Sequence, residues 1–229
     1  MNDRVSGSGE NVAENLGMAP TRVFLLSPAS SGGERARLIF NERARFDLAV
    51  RLRSPEGAAL GDVFSFLSGL YFRGKLQYAR RFAAPPPGVP GVLVITAGEG
   101  LLPAEEPVTI RRLERFARIP IDAGEPRYRR PLRRHALALE EALRGSGEVV
   151  LLGSIATGKY AEVLDRVFGE RLVFPEEFVG RGDMSRGGLL LRRAREGVEL
   201  SYRPIRGAQR HGPRPAKLPR LPRTEESGR

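Results

Sequence analysis

Gly153-Ser-Ile-Ala-Thr-Gly-Lys159 places a glycine, four residues, a second glycine and a lysine between an apolar run and a helical pattern. That spacing suits phosphate. Backbone N–H groups and the following helix N-terminus would hold the oxygens, and Lys159 would add a positive charge. The candidate ligand-binding residues here are Gly153, Ser154, Thr157, Gly158, Lys159 and Tyr160. Tyr160 stands where a nucleoside-triphosphatase needs Ser or Thr for magnesium, and no later strand ends in the expected acidic partner, so triphosphate hydrolysis is not expected. The competing reading is a strand-to-helix turn that uses glycine for geometry alone.

A second segment, 178–188, holds Arg181, Asp183, Ser185 and Arg186 among four glycines. Arginine forks suit phosphate or carboxylate bidentately, and Asp183 could serve as a general base or simply pair with an arginine. Read as a long Gly-dense loop, it makes Arg181, Ser185 and Arg186 ligand-binding candidates and Asp183 a catalytic one; an internally paired surface loop is the alternative. Glu99, in Thr96-Ala-Gly98-Glu-Gly, is the one carboxylate at a strand's carboxyl end and is the other catalytic candidate. Ser27, Ser30, Thr96 and Gly98 join the ligand-binding set because they lie in the loops after two apolar runs. His135 flanks a leucine stripe and reads as a boundary residue. The Tyr71 to Arg80 cluster mixes aromatics with cations, as nucleic-acid platforms do, but its tyrosines fall on an apolar helix face, which favours core packing. Ser-His-Asp and EF-hand patterns and the full dinucleotide fingerprint are missing.

These residues sit in a chain of 229, long enough to bury a core without disulfides or metals. Cysteine is absent, which excludes disulfides, zinc–thiolate sites, iron–sulfur clusters and thiol catalysis. With only two histidines, a His-rich metal site is not expected, and no cofactor or metal is called for. No apolar run approaches the roughly 20 residues that span a bilayer, and the N-terminus lacks signal-peptide order; a cytoplasmic protein with no membrane partner is expected. The net charge is +11, and residues 203–229 hold seven arginines and Lys217 against two glutamates. Five prolines interrupt the same stretch. Such a segment cannot bury enough apolar surface to order itself, and it could add salt-sensitive phosphate contacts.

Three apolar runs, Arg22–Ser27, Gly91–Thr96 and Glu148–Gly153, alternate with helical patterns, and a shorter one spans Arg171–Phe174. Leu60, Val63, Phe64, Leu67, Tyr71, Gly74 and Tyr78 recur as one continuous helical face. Thr109 is placed to cap a short helix, and 187–205 fits either a hairpin or a helix followed by an edge strand. Continuous apolar strands between helices predict an α/β fold, with a mostly parallel sheet of about 4–5 strands and helices on both faces. The expected domains are a disordered segment 1–20, one α/β domain over 21–206, and a disordered Arg/Pro-rich tail over 207–229. Ligands of open parallel sheets bind beyond the carboxyl ends of the strands, where the three polar loops converge.

The order Tyr71-Phe-Arg-Gly-Lys-Leu-Gln-Tyr78, Val94-Ile-Thr-Ala-Gly-Glu-Gly-Leu-Leu-Pro103, Val149 to Tyr160 and the 180–188 segment resembles an uncharacterised bacterial protein family. The strings Ser154-Ile-Ala-Thr-Gly-Lys-Tyr160 and Gly180-Arg-Gly-Asp-Met-Ser-Arg-Gly-Gly188 carry that resemblance, over roughly residues 22 to 190. In layout it is distantly similar to DUF6884 domains, which are discussed beside peroxide-stress YaaA proteins and accessory domains of tRNA-guanine transglycosylases. That likeness implies a nucleic-acid neighbourhood. This chain departs from those domains in lacking the cysteine often found after the first strand, a region that holds Ser30 and Ser31 here. The resulting expectation is a protein that binds a phosphate-bearing ligand, a nucleotide or nucleic-acid component, and processes it. The alternative is a non-catalytic nucleic-acid-binding or assembly protein that uses the basic tail.

Overall fold

The computed structural model describes residues 20–29, 32–216 and 218. The chain opens with β1 (Arg22–Leu26), followed by α1 (Glu34–Phe40), α2 (Asp47–Arg53) and the two-residue β2 (Ala58–Ala59). Two successive helices, α3 (Leu60–Ser68) and α4 (Leu70–Phe82), lead to β3 (Val92–Thr96), β4 (Gly100–Pro103) and the short β5 (Pro107–Val108). Then come α5 (Ile110–Ala117), α6 (Pro126–Leu143), β6 (Glu148–Leu152), α7 (Gly158–Phe168), β7 (Leu172–Pro175), α8 (Asp183–Glu196) and β8 (Tyr202–Pro204). The architecture is α/β. The main sheet runs β4-β3-β1-β6-β7-β8, six strands rather than four or five, and β2 pairs with β5 apart from it.

The four inner strands are parallel, with Leu25 opposite Leu93 on one side and Leu151 on the other. Both faces of these strands are covered, so Val23, Phe24, Leu25 and Leu26 are all buried, and this is why each strand reads as an unbroken apolar run. Helices α4 and α8 pack against each other, as do α6 and α7, and the two pairs form the layers about the sheet. Phe24 meets the Tyr78 ring of α4 edge-on at 5.9 Å. Helix α6 begins with Glu125 accepting from the Arg127 N–H and Pro126 at its first position, a pre-set helical start.

Several expectations need correcting. The 60–78 stripe is not one helix: Gly69 breaks it, at φ +65° and ψ −129°, and a Cβ there would meet the Arg35 guanidinium at 2.5 Å. The glycine itself was the signal of the break. Residues 97–102 do not form an open loop, because β3 turns directly back into antiparallel β4. The 178–188 segment is not a long loop either; α8 starts at Asp183, and Gly187 lies inside it. The 187–205 region resolves as the end of that helix plus an edge strand, β8 pairing antiparallel with β7. Thr109 occupies the α5 cap position without a side-chain hydrogen bond. Beyond β8, Ile205 donates to the Leu172 carbonyl, Gly180 packs against the Pro213 carbonyl, and Leu218 packs on the core. The remaining residues of the two predicted terminal segments, 1–19, 217 and 219–229, lie outside the described residues.

Candidate functional site

β1 lies between β3 and β6, so the crossovers on its two sides leave the sheet in opposite senses. The loops after β1 and β6 therefore diverge, and the gap between them is where open parallel sheets take ligands. A cleft of about 550 Å³ occupies that position. Ser27, Ala29 and Gly33 line it from the β1 side, and Ser154, Thr157, Lys159 and Tyr160 from the β6 side. Leu67 and Tyr71 come from the α3–α4 pair, Ile119 and Ile121 form an apolar wall, and Asp183 stands at the start of α8.

Helix α7 begins at Gly158 with no side-chain cap, so its first N–H groups lack an intrahelical partner, and Thr157, Lys159 and Tyr160 at that end line the cleft. Lys159 is exposed and adds a cation to the same end. Tyr71 is buried, and the Arg186 guanidinium is the polar neighbour of its hydroxyl, acting on it by charge and by hydrogen bonding. Burial pushes that phenol well above its ordinary range. Tyr160 is also raised by burial, opposed by its hydrogen bonds with Ser27 and the Ser154 backbone. A Cβ at Gly153 would lie 2.8 Å from both the Tyr160 hydroxyl and Ser27 Cβ, so only glycine lets the three residues meet.

Lys75 lies directly behind Ser27. It is 1% exposed. Its ammonium donates to the Ser27 carbonyl at 2.6 Å and to Ser27 Oγ at 2.8 Å. The rings of Tyr71 and Phe72 flank Nζ at 4.6 and 4.7 Å. No carboxylate forms an ion pair with it among the described residues; Asp183 acts at longer range and Arg186 opposes it. Desolvation pulls the amine down to about 7, so charged and neutral forms exchange near neutral pH.

Of the residues expected from the sequence, Ser27, Ser154, Thr157, Lys159, Tyr160 and Asp183 meet at the cleft. Gly153 supports it from below, and Gly158 opens α7 beside the Glu162 carboxylate. Ser30 lies outside the described residues. Thr96 is buried and donates to the Gly100 carbonyl, closing the β3–β4 turn. Gly98 backs the apolar wall, since a Cβ there would lie 2.5 Å from Ile119 Cδ1. Glu99 does not line the cleft; it is held by Arg112 at 2.6 Å and Arg115 at 3.5 Å. Arg181 donates to Ser185 Oγ and the Ala216 carbonyl, fastening the C-terminal stretch. Arg186 donates twice to the Phe178 carbonyl and lies over the Phe178 ring.

Sequence reasoning passed over Lys75, because the tyrosines around it read as core. One signal was available: the chain has 38 basic residues but only three lysines. Two of those three, Lys75 and Lys159, converge on this cleft. Arginine stays protonated at any ordinary pH, whereas a buried lysine can release its proton. Among the described residues no group of three or more His, Asp or Glu is placed to hold a metal, and no helix is long and apolar enough to cross a membrane. No family model, curated protein or solved structure matches the chain.

Proposed function

We propose that this protein binds a phosphate-bearing ligand, a nucleotide or nucleic-acid component, in the cleft between the β1 and β6 loops, and processes it there. The observation that carries this reading is the meeting of the uncapped α7 N-terminus, Lys159, Ser27 and Tyr71 in one cleft at the point where the crossovers diverge. The helix end and Lys159 supply positive charge to an anion. The Ile119–Ile121 wall offers an apolar surface to a base or ring. The cleft size suits a ligand of nucleotide dimensions.

Thermal unfolding in the presence of mononucleotides, nucleosides and inorganic phosphate tests this. A ligand at about 100 times its Kd adds about 2.7 kcal/mol, which raises Tm by several degrees. The shift should follow the phosphate-bearing compounds and fall sharply in Lys159→Ala. A phosphate-independent shift, or none across the series, would remove the reading.

A second reading, a nucleic-acid-binding protein, is favoured by a different surface. Arg129, Arg130, Arg133 and Arg134 stand exposed along α6 around a shallow groove. Such a row suits a phosphate backbone, and its binding would weaken steeply with salt. Oligonucleotide affinity that drops in an Arg130→Ala/Arg133→Ala variant, with no mononucleotide shift, would favour this reading over the first.

A further inference from the structure

We propose that Ser27 Oγ is a nucleophile and Lys75 Nζ its general base, acting on an acyl ester carried by the phosphate-bearing ligand. The choice of ligand rests on the reading above; the serine–lysine pair stands on its own geometry. Nucleophile and base must lie within hydrogen-bond reach, and here they are 2.8 Å apart. The second bond, to the Ser27 carbonyl at 2.6 Å, fixes the amine against the backbone of the residue it serves. Ser27 lines the cleft, whereas Lys75 is enclosed behind it. Ser27 Oγ is the cleft-facing member of the pair and is assigned the covalent bond, while Lys75 Nζ exchanges protons with groups held against that oxygen.

A buried lysine kept for stability is normally neutralised by a carboxylate. Lys75 is instead faced by Ser27 from the loop after β1, by the rings of Tyr71 and Phe72 from its own helix, and by the opposed charges of Asp183 and Arg186 from α8. Asp183 is 69% exposed and lies 3.6 Å from Arg186. The amine is thus free to lose and regain a proton at neutral pH. Tyr160 of α7 sits beside Ser27, since a Cβ on Gly153 would lie 2.8 Å from both its hydroxyl and Ser27 Cβ.

The step balances as follows. The neutral Lys75 amine takes the Ser27 Oγ proton as Oγ bonds to the ester carbonyl carbon, and the carbonyl pair moves onto oxygen beside the α7 N–H groups. The carbonyl re-forms, the bond to the leaving oxygen breaks, and the Lys75 ammonium returns its proton to that oxygen. Water then gives a proton to Lys75 and attacks the acyl-serine. Ser27 Oγ leaves and recovers the proton, so an ester and water become an alcohol and a carboxylic acid with the enzyme unchanged.

The full-length protein, incubated with p-nitrophenyl acetate and read by intact mass and peptide mapping, provides the test. The expected result is an acetyl group on Ser27, absent in Ser27→Ala and formed about 100-fold more slowly in Lys75→Met. Wild-type acylation should rise with pH through an inflection near 7, the value set by Lys75. This profile is measured on wild-type protein and so holds even if Lys75→Met misfolds. Acylation elsewhere, no acylation of Ser27, or a rate unchanged in folded Lys75→Met overturns the proposal. Failure with the nucleotide-induced Tm shift intact removes the nucleophile alone, whereas acylation without any such shift removes the ligand reading alone.

Discussion

Gly74 of α4 and Gly187 of α8 meet backbone to backbone: a Cβ on Gly74 would lie 2.6 Å from the Gly187 carbonyl oxygen and 3.0 Å from its Cα. The contact is reciprocal, since a Cβ on Gly187 would lie 2.8 Å from Tyr71 Cα and from the Leu70 carbonyl oxygen. The crossing brings the start of α8, with Asp183 and Arg186, over the turn of α4 that carries Tyr71 and Lys75. Glycine was expected in 178–188 for loop accessibility; at Gly187 it serves helix approach instead.

Gly74→Ala should therefore destabilise the fold by about 1–3 kcal/mol despite alanine's better helix propensity, because backbone atoms must move to admit the methyl. Urea unfolding measures the change. A neutral or stabilising result would show that the helices can separate cheaply.

Lys75 makes folding stability depend on pH. Its folded value of about 7 lies below its ordinary 10.5, so between these values the unfolded chain holds a proton that the folded chain lacks. Stability contributed by this group therefore rises with pH across that window, by up to about 1.4 kcal/mol per pH unit, and is lowest below 7. Lys75→Met removes the effect. Its stability advantage over wild type should be largest at pH 6 and shrink towards pH 9, which denaturant midpoints at several pH values would reveal; a constant gap would contradict it.

Two glycines of the same loop should respond differently. Gly153→Ala would push on Ser27 and the Tyr160 hydroxyl, both enclosed, and should weaken nucleotide binding more than tenfold. Gly158→Ala meets only the Glu162 side chain, which can swing into solvent, and should change stability by less than about 1 kcal/mol. Calorimetric titration with a mononucleotide checks the first variant and urea unfolding the second.

Glu99→Gln should leave the ligand-induced Tm shift unchanged and cost about 1 kcal/mol, because its carboxylate binds Arg112 and Arg115 away from the cleft. A lost shift in this variant would return Glu99 to the site.

The strands were legible because burial on both faces demands unbroken apolar runs, as in Val149 to Leu152. The loops after β1 and β6 were legible as neighbours that line one cleft because small polar residues follow those runs directly. The return of the chain after Thr96 was harder to see: Gly98 and Gly100 looked like loop residues, while their positive φ values of +118° and +72° make a tight turn between antiparallel strands. Lys75 was hidden by its helix, since a period of 3.6 reports which face is buried and is silent on which buried group is polar. Its hydrogen-bond partner Ser27 lies 48 residues earlier, and only the fold brings them together.

The placement of β1 also sets the order in which the molecule can be completed. Val23 to Leu26 are made before every other strand of the sheet, yet they belong in its middle, and their β6 partners, Val149 to Leu152, follow 126 residues later. Arg22 waits longer still for Glu199, 177 residues on. One edge of β1 can pair with β3 once Val92 to Val94 are made, while its other edge stays open until β6 follows, and such long loop closures slow folding.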